Sequence, residues 1–242
     1  MDRTDWTRAA LPGEGFLWIS PRHTFGTDSL LLADFARPHT GDRVCDLGAG
    51  CGIVGALLLG GPHPPARVAA VELQPEAVAQ MERSAAETPW LRGRLAPLLA
   101  DLRTLDGVPQ LGAYDLVVCN PPYFAPGTGR AAPHPARRLA RHEGGGCTLE
   151  EVCRAAGRLL RYGGAFCLCH RPERLTDLLE ALRRPGLEPK RLRLVQQRAD
   201  KAPWLVLAQG KKGGAPGLRV EAPLILDDEK QHRPKEEPPC RD

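Results

Sequence analysis

Four short segments carry residue types that can do chemistry together. In Asp46-Leu47-Gly48-Ala49-Gly50-Cys51-Gly52 a carboxylate sits inside a glycine turn. Glycines at such a turn let the backbone approach a ligand closely, and a helix starting there offers unpaired N–H groups. The dinucleotide spacing G-x-G-x-x-G fails, because Ile53 stands three residues after Gly50. The Asp46 carboxylate suits a cation, such as a sulfonium bearing an α-amino group, better than a pyrophosphate. Glu72 follows Gly50 by 22 residues, and a carboxylate there can accept both ribose hydroxyls of a nucleoside. The competing assignment is a solvated acid at a strand end, and Asp101-Leu102 carries the same pair of alternatives.

The fourth segment is Asn120-Pro121-Pro122-Tyr123-Phe124. An amine on an aromatic ring is a weak nucleophile because its lone pair is delocalised. Acceptors that bind both amine hydrogens turn the lone pair toward an electrophile. Asn120 offers one carbonyl acceptor, and a proline backbone offers another without a competing N–H. Two prolines stiffen the turn, holding the acceptors where charge develops. Tyr123 offers a stacking face worth about 1–3 kcal/mol per base. Direct transfer needs no covalent cysteine and no metal, and the new ammonium loses its proton to solvent. His134, His142 and His170 therefore receive no catalytic role.

These segments require elements that bring them to one edge. Apolar runs predict strands at 43–47, 68–72, 95–100, 114–119, 165–170, 192–196 and 204–209. Helix-period segments at 29–36, 52–59, 75–88, 149–160 and 174–183 are interleaved with them. This alternation predicts a doubly wound, mostly parallel, seven-stranded α/β sheet that binds ligands at the carboxyl ends of its strands. All four segments follow predicted strands. Residues 1–15 and 227–242 are polar and predict loose tails around a single domain at 16–226. The Gly/Pro-rich stretch 125–146 predicts a long loop.

Composition narrows the function classes. Of 242 residues, 42% are apolar and 26% charged, which is ordinary globular usage. No apolar run approaches the ~18 residues of a membrane span, and no signal peptide opens the chain, so a cytoplasmic protein is expected. Eight cysteines show neither C-x-x-C nor zinc-finger spacing. In a reducing compartment they are small buried hydrophobes, with Cys167 and Cys169 on one face of a strand and Cys119 pointing into the sheet. The net charge of +4 is uneven, since residues 1–119 carry −4 and residues 120–220 carry +11. The later part predicts a surface for a polyanion, densest at Arg130, Arg137, Arg138, Arg141 and from Arg183 to Lys201.

The glycine loop with its aspartate resembles the first motif of class I S-adenosylmethionine-dependent methyltransferases, a Rossmann-like fold. The resemblance implies S-adenosylmethionine as cofactor, cradled by Asp46, Gly48, Gly50 and Gly52, with Asp101 and Leu102 at its adenine. The order of Phe25-Gly26-Thr27-Asp28, the N-P-P-Y turn, Ala140-Arg141-His142-Glu143 and His170-Arg171-Pro172-Glu173-Arg174 narrows this further. From about residue 14 to 226 the chain is similar to the tRNA1(Val) adenine-N6 methyltransferase family, which modifies the adenosine 3′ of the anticodon, position 37. That resemblance implies Asn120, Pro121, Pro122 and Tyr123 as the catalytic turn, with Asn120 also among the cofactor-binding residues. It places Thr27 and Asp28 beside the cofactor, or else as caps of the following helix. Arg137, Arg138, Arg141, Arg171 and Arg174 face tRNA phosphates, or, for Arg171 and Arg174, simply flank a helix. A monomer is expected. The runner-up is an N5-glutamine methyltransferase acting on a release factor. That class carries a helical region ahead of its cofactor loop, for which the ~45 residues before Asp46 leave little room.

Overall fold

A computed structural model describes residues 5–121 and 147–227. The chain opens with a hairpin, β1 (Thr7–Leu11) and β2 (Gly15–Ile19), paired antiparallel. Then follow α1 (Thr27–Ala36), β3 (Arg43–Leu47), α2 (Ile53–Leu59), β4 (Arg67–Glu72), α3 (Pro75–Glu87), β5 (Leu95–Leu99) and β6 (Tyr114–Cys119). After residue 146 come α4 (Leu149–Leu159), β7 (Leu160–His170), a 3-10 turn at Pro172–Arg174, α5 (Leu175–Arg183), β8 (Leu187–Gln196) and β9 (Leu205–Lys212). Two short strands end the described chain, β10 (Arg219–Val220) and β11 (Leu224–Ile225).

The main sheet runs β10-β8-β9-β7-β6-β3-β4-β5, with β11 also on β8. Strands β5, β4, β3, β6 and β7 are mutually parallel, and β9 lies antiparallel between β7 and β8. The seven long strands are the seven expected, and the two-residue strands β10 and β11 add to them along the edge of β8. Chain order reverses between β3 and β6, so a crevice opens at their carboxyl ends. Asp46, Glu72 and Asn120 lie at the ends of β3, β4 and β6 around that crevice.

Alternation along each strand divides the core into two layers. Val44, Val68, Val118, Cys167 and Cys169 pack in one apolar cluster with α1, α2 and α3 residues. Cys45, Leu47, Val117, Cys119 and Phe166 pack in the other, with α4 and α5. The two cysteines of β7 thus share a face, and Cys119 points into the opposite layer. All seven described cysteines are free thiols, six of them buried.

Residues 7–11, expected inside a loose tail, instead form β1. The reason lies far along the chain. The N–H of Trp18 donates to Ser84 Oγ (2.8 Å), and Thr88 Oγ1 both accepts from the N–H of Phe16 (3.2 Å) and donates to its carbonyl (2.8 Å). Arg8 stacks over Phe16, Arg83 over Trp18, and Glu87 joins both guanidinium groups. Two hydroxyls one helical turn apart, Ser84 on α3 and Thr88 at its C-terminal cap, thereby satisfy the open edge of β2. The tail expected at 227–242 lies, beyond Asp227, outside the described residues.

Candidate active site

The crevice is a cleft of about 460 Å³ whose walls include Asp46, Gly48, Gly50, Glu72, Asp101 and Asn120. Its floor is the turn after β3. Gly48 (φ 67°) and Gly50 (φ 57°) adopt left-handed backbone, and a Cβ on either would enter open space. That combination leaves bare backbone facing a ligand. Gly52 (φ 82°) is different, because a Cβ there would stand 2.9 Å from the Met81 side chain and the residue is not on the cleft wall. Its work is close packing of the turn onto α3.

Asp46 is 1% exposed, and the N–H of Gly55 donates to its Oδ2 at 3.2 Å. Burial pushes its carboxyl up to about 7, the Gly55 donor opposes that shift, and the nearby Glu72 charge adds to it. A cation in the cleft would favour the charged form. Glu72 is also buried, and its two oxygens accept from the N–H groups of Gly50 and Gln74, each at 2.9 Å. Asp101 binds the Arg103 guanidinium, which holds its carboxyl below the usual range, and Leu102 lies beside it on the wall.

Asn120 is half-buried at the mouth of the cleft, with buried Pro121 next to it. Its Nδ2 donates to Ser29 Oγ at 2.9 Å, and the Cys169 thiol donates to its Oδ1 at 3.1 Å. Pro122, Tyr123, Arg130, Arg137, Arg138 and Arg141 lie outside the described residues. Asp28 lies on the wall and its Oδ1 accepts from the N–H of Ser29 at 2.9 Å, so it serves the first turn of α1 while facing the cleft. Thr27 begins the helix, is exposed, and is not on the wall.

Of the two later arginines, Arg171 reaches the cleft, with Nη1 donating to the Trp204 carbonyl at 3.1 Å. Arg174 pairs with Asp177 at the start of α5. The basic run from 183 to 201 is substantially paired within the fold, with Arg183 to Glu188, Arg184 to Glu180, Arg191 to Glu221 and Arg198 to Asp200. His170 is buried, and desolvation lowers its imidazole to about 4, so it is neutral near pH 7. Among the described residues no group of three or more His, Cys, Asp or Glu is placed to hold a metal, and no helix is long and apolar enough to cross a membrane.

The wall also holds residues for which the sequence alone implies no role, among them Arg22, His23 and Ser29. His23 and Arg22 both approach Glu76 on α3, and Ser29 touches the Asn120 amide. They flank Thr27 and Asp28, which the family resemblance places beside the cofactor.

The open glycine turn, the buried Asp46, the Glu72 carboxylate and the strand-end Asn120 fit an adenosyl sulfonium ligand, and the sheet order matches that of a class I fold. A predicted O-methyltransferase from Agrobacterium tumefaciens, 24% identical, superposes with a TM-score of 0.65 over 85% of this chain and 90% of its own. The 16S rRNA N2 methyltransferase RsmC of T. thermophilus, solved with AdoMet and guanosine, is 25% identical with a TM-score of 0.56. That match covers 90% of this chain and 49% of RsmC. Residues 22–136 match the Methyltransferase small domain family. The chain is a class I methyltransferase, and S-adenosylmethionine is its cofactor.

A relative from Tolumonas auensis named tRNA1(Val) (adenine(37)-N6)-methyltransferase is 34% identical over 184 residues, which is 75% of this chain and 73% of the relative. The chain belongs to the tRNA1(Val) (adenine(37)-N6)-methyltransferase family. Against another relative of that name the match covers 143 residues, and the chain spans 57% of that relative's length.

Proposed function

We propose that this chain methylates N6 of an adenine in tRNA, the adenine at position 37 of tRNA1(Val) that its relatives' name specifies. The observation that carries this reading is the placement of Asn120. Its amide lies at the carboxyl end of β6, in the same cleft as Asp46 and Glu72.

Bound S-adenosylmethionine supplies an electrophilic methyl group. Glu72 would take the ribose hydroxyls, Asp46 would face the cationic methionine half, and Asp101 with Leu102 would hold the adenine. At the other end, the Asn120 carbonyl oxygen has two lone pairs. The oxygen accepts the Cys169 thiol, and in the substrate complex it would accept an N6–H of the target. The Pro121 carbonyl would accept the second N6–H, and Tyr123 would stack on the ring. Holding both hydrogens aims the nitrogen lone pair across the cleft, so the protein's contribution is orientation. The proton released after transfer goes to solvent, which leaves His170 without a proton-transfer task.

The target base lies in a single-stranded loop, where swinging it out costs little. Arg171 on the cleft wall, with Arg137, Arg138 and Arg141, would contact the phosphates around it. The working unit is a cytoplasmic monomer built on residues 16–226, to which β1 adds Thr7–Leu11. Incubation with methyl-labelled cofactor and total tRNA, followed by nucleoside analysis, tests the reading. Label in N6-methyladenosine is expected, and label in a glutaminyl peptide of a release factor instead would overturn it.

A further inference from the structure

An asparagine can serve as an amine acceptor only if its oxygen, not its NH2, faces the amine. The two ends of the amide have almost the same shape, so something must sort them. In this fold two residues from different elements grip the ends. Ser29, in the first turn of α1, sits 2.9 Å from Nδ2, and Cys169, near the end of β7, sits 3.1 Å from Oδ1. Both are buried, Cys169 completely.

The two contacts do different work. A serine hydroxyl both donates and accepts, so Ser29 alone would hold the amide in either orientation. A thiol is a weak donor and a poorer acceptor. Turning the amide over would set its NH2 against sulfur and discard the S–H···O bond. Cys169 therefore sets the direction, while Ser29 sets the position and satisfies the NH2. The backbone that carries Ser29 is itself fixed, because its N–H donates to both the Asp28 carboxylate and the Gly26 carbonyl.

We propose that Ser29 and Cys169 are positioning residues that hold the Asn120 amide with its carbonyl oxygen as the end offered to the target amine. This rests on the reading of Asn120 as the amine acceptor. Cys169 then has a task beyond filling the core, and Ser29 has one beyond opening α1.

The test uses the full chain with tRNA substrate. Ser29→Ala and Cys169→Ala each lower kcat by about 5–50-fold, the scale of one lost or unsatisfied hydrogen bond. The affinity for S-adenosylmethionine, measured by calorimetry without RNA, stays within about two-fold. Ser29→Thr, which keeps the hydroxyl, recovers most of the rate, whereas Cys169→Ser, whose hydroxyl can donate to the oxygen or accept from the NH2, recovers it only in part. In an Asn120→Ala background, neither alanine substitution lowers the residual rate further, because a positioning residue acts only through its client. An independent readout is the side-chain 15N–1H pair of Asn120, identified by its loss in Asn120→Ala. Its proton shifts move and its solvent exchange quickens in Ser29→Ala.

Wild-type kcat in both alanine variants, or full additivity with Asn120→Ala, would overturn the positioning role while leaving Asn120 in place. Full turnover by Asn120→Ala itself would instead remove the reading beneath it. If Ser29→Ala does not fold, the Cys169 series decides the matter alone: the proposal requires kcat to fall from wild type through Cys169→Ser to Cys169→Ala with S-adenosylmethionine affinity unchanged, and equal kcat in all three would overturn it.

Discussion

The backbone N–H of Gly50 donates to Oε2 of Glu72 at 2.9 Å, tying the glycine turn after β3 to the end of β4. The other oxygen of the same carboxylate accepts from the N–H of Gln74 at 2.9 Å. Glu72 thus shapes the turn on one side and faces the cleft on the other. Glu72→Ala is expected to weaken S-adenosylmethionine binding about 10–100-fold, the scale of one or two charge-assisted hydrogen bonds. Calorimetry measures this, and unchanged affinity would mean that the ribose is held elsewhere.

The glycines of the turn separate by function. Gly52→Ala forces a left-handed residue and drives a methyl group into Met81, so it is expected to destabilise the fold by about 2 kcal/mol or more. Gly50→Ala carries only the backbone penalty of about 1–2 kcal/mol, and its methyl group enters the cleft, so cofactor affinity suffers more than stability. Denaturant unfolding and calorimetry on the two variants check the contrast.

Asp46 makes stability depend on pH. Its carboxyl lies at about 7 in the fold and at 3.8 as the ordinary value. Between those values the native state holds a proton that the unfolded chain has lost. The stabilisation is fully present below about pH 4 and is lost as pH rises through 7, on the order of 4 kcal/mol in all. Asp46→Asn keeps an acceptor for the Gly55 N–H and removes the buried charge. It is expected to be more stable than wild type at pH 8, with the difference vanishing near pH 4, and to bind the cationic cofactor less well. Chemical denaturation across that range is the check, and a difference independent of pH would contradict it.

Arg171, like Arg22, is a cation on the cleft wall. Arg171→Ala is expected to raise the KM for tRNA and to reduce the salt slope of tRNA binding by about one, with cofactor affinity unchanged. Filter binding over a salt series measures the slope. An unaltered slope would assign Arg171 to its bond with the Trp204 carbonyl.

Local pattern made most of this architecture readable. The strand ending at Asp46, the strand ending at Glu72 and the helix opened by Pro75 all announce themselves within a few residues, through apolar runs and a first-turn proline. What escaped depended on distant partners. The β1–β2 hairpin is held by Ser84, Arg83 and Glu87 of α3 and by Thr88 at its C-terminal cap, more than sixty residues on. Strand β7 starts at Leu160 rather than at Ala165, because Gly163 (φ 78°) lets the chain shift register against β6. At the site, the strand-end positions fixed Asp46, Glu72 and Asn120, but Ser29 and Cys169 are 140 residues apart and meet only across the Asn120 amide. In the basic 183–201 stretch, Arg191 finds Glu221, an acid that only the folded chain brings near, whereas Arg183, Arg184 and Arg198 pair with acids close in sequence.

The central claim is that the Asn120 amide holds the reacting amine while the cofactor is bound independently of it. Single-turnover methylation of tRNA by Asn120→Ala, with S-adenosylmethionine affinity measured on the same preparation, tests both halves. The account predicts a rate lower by about 10²–10³-fold or more with cofactor affinity within about three-fold. A rate close to wild type, or a loss of cofactor affinity that by itself explains the lost rate, would contradict it.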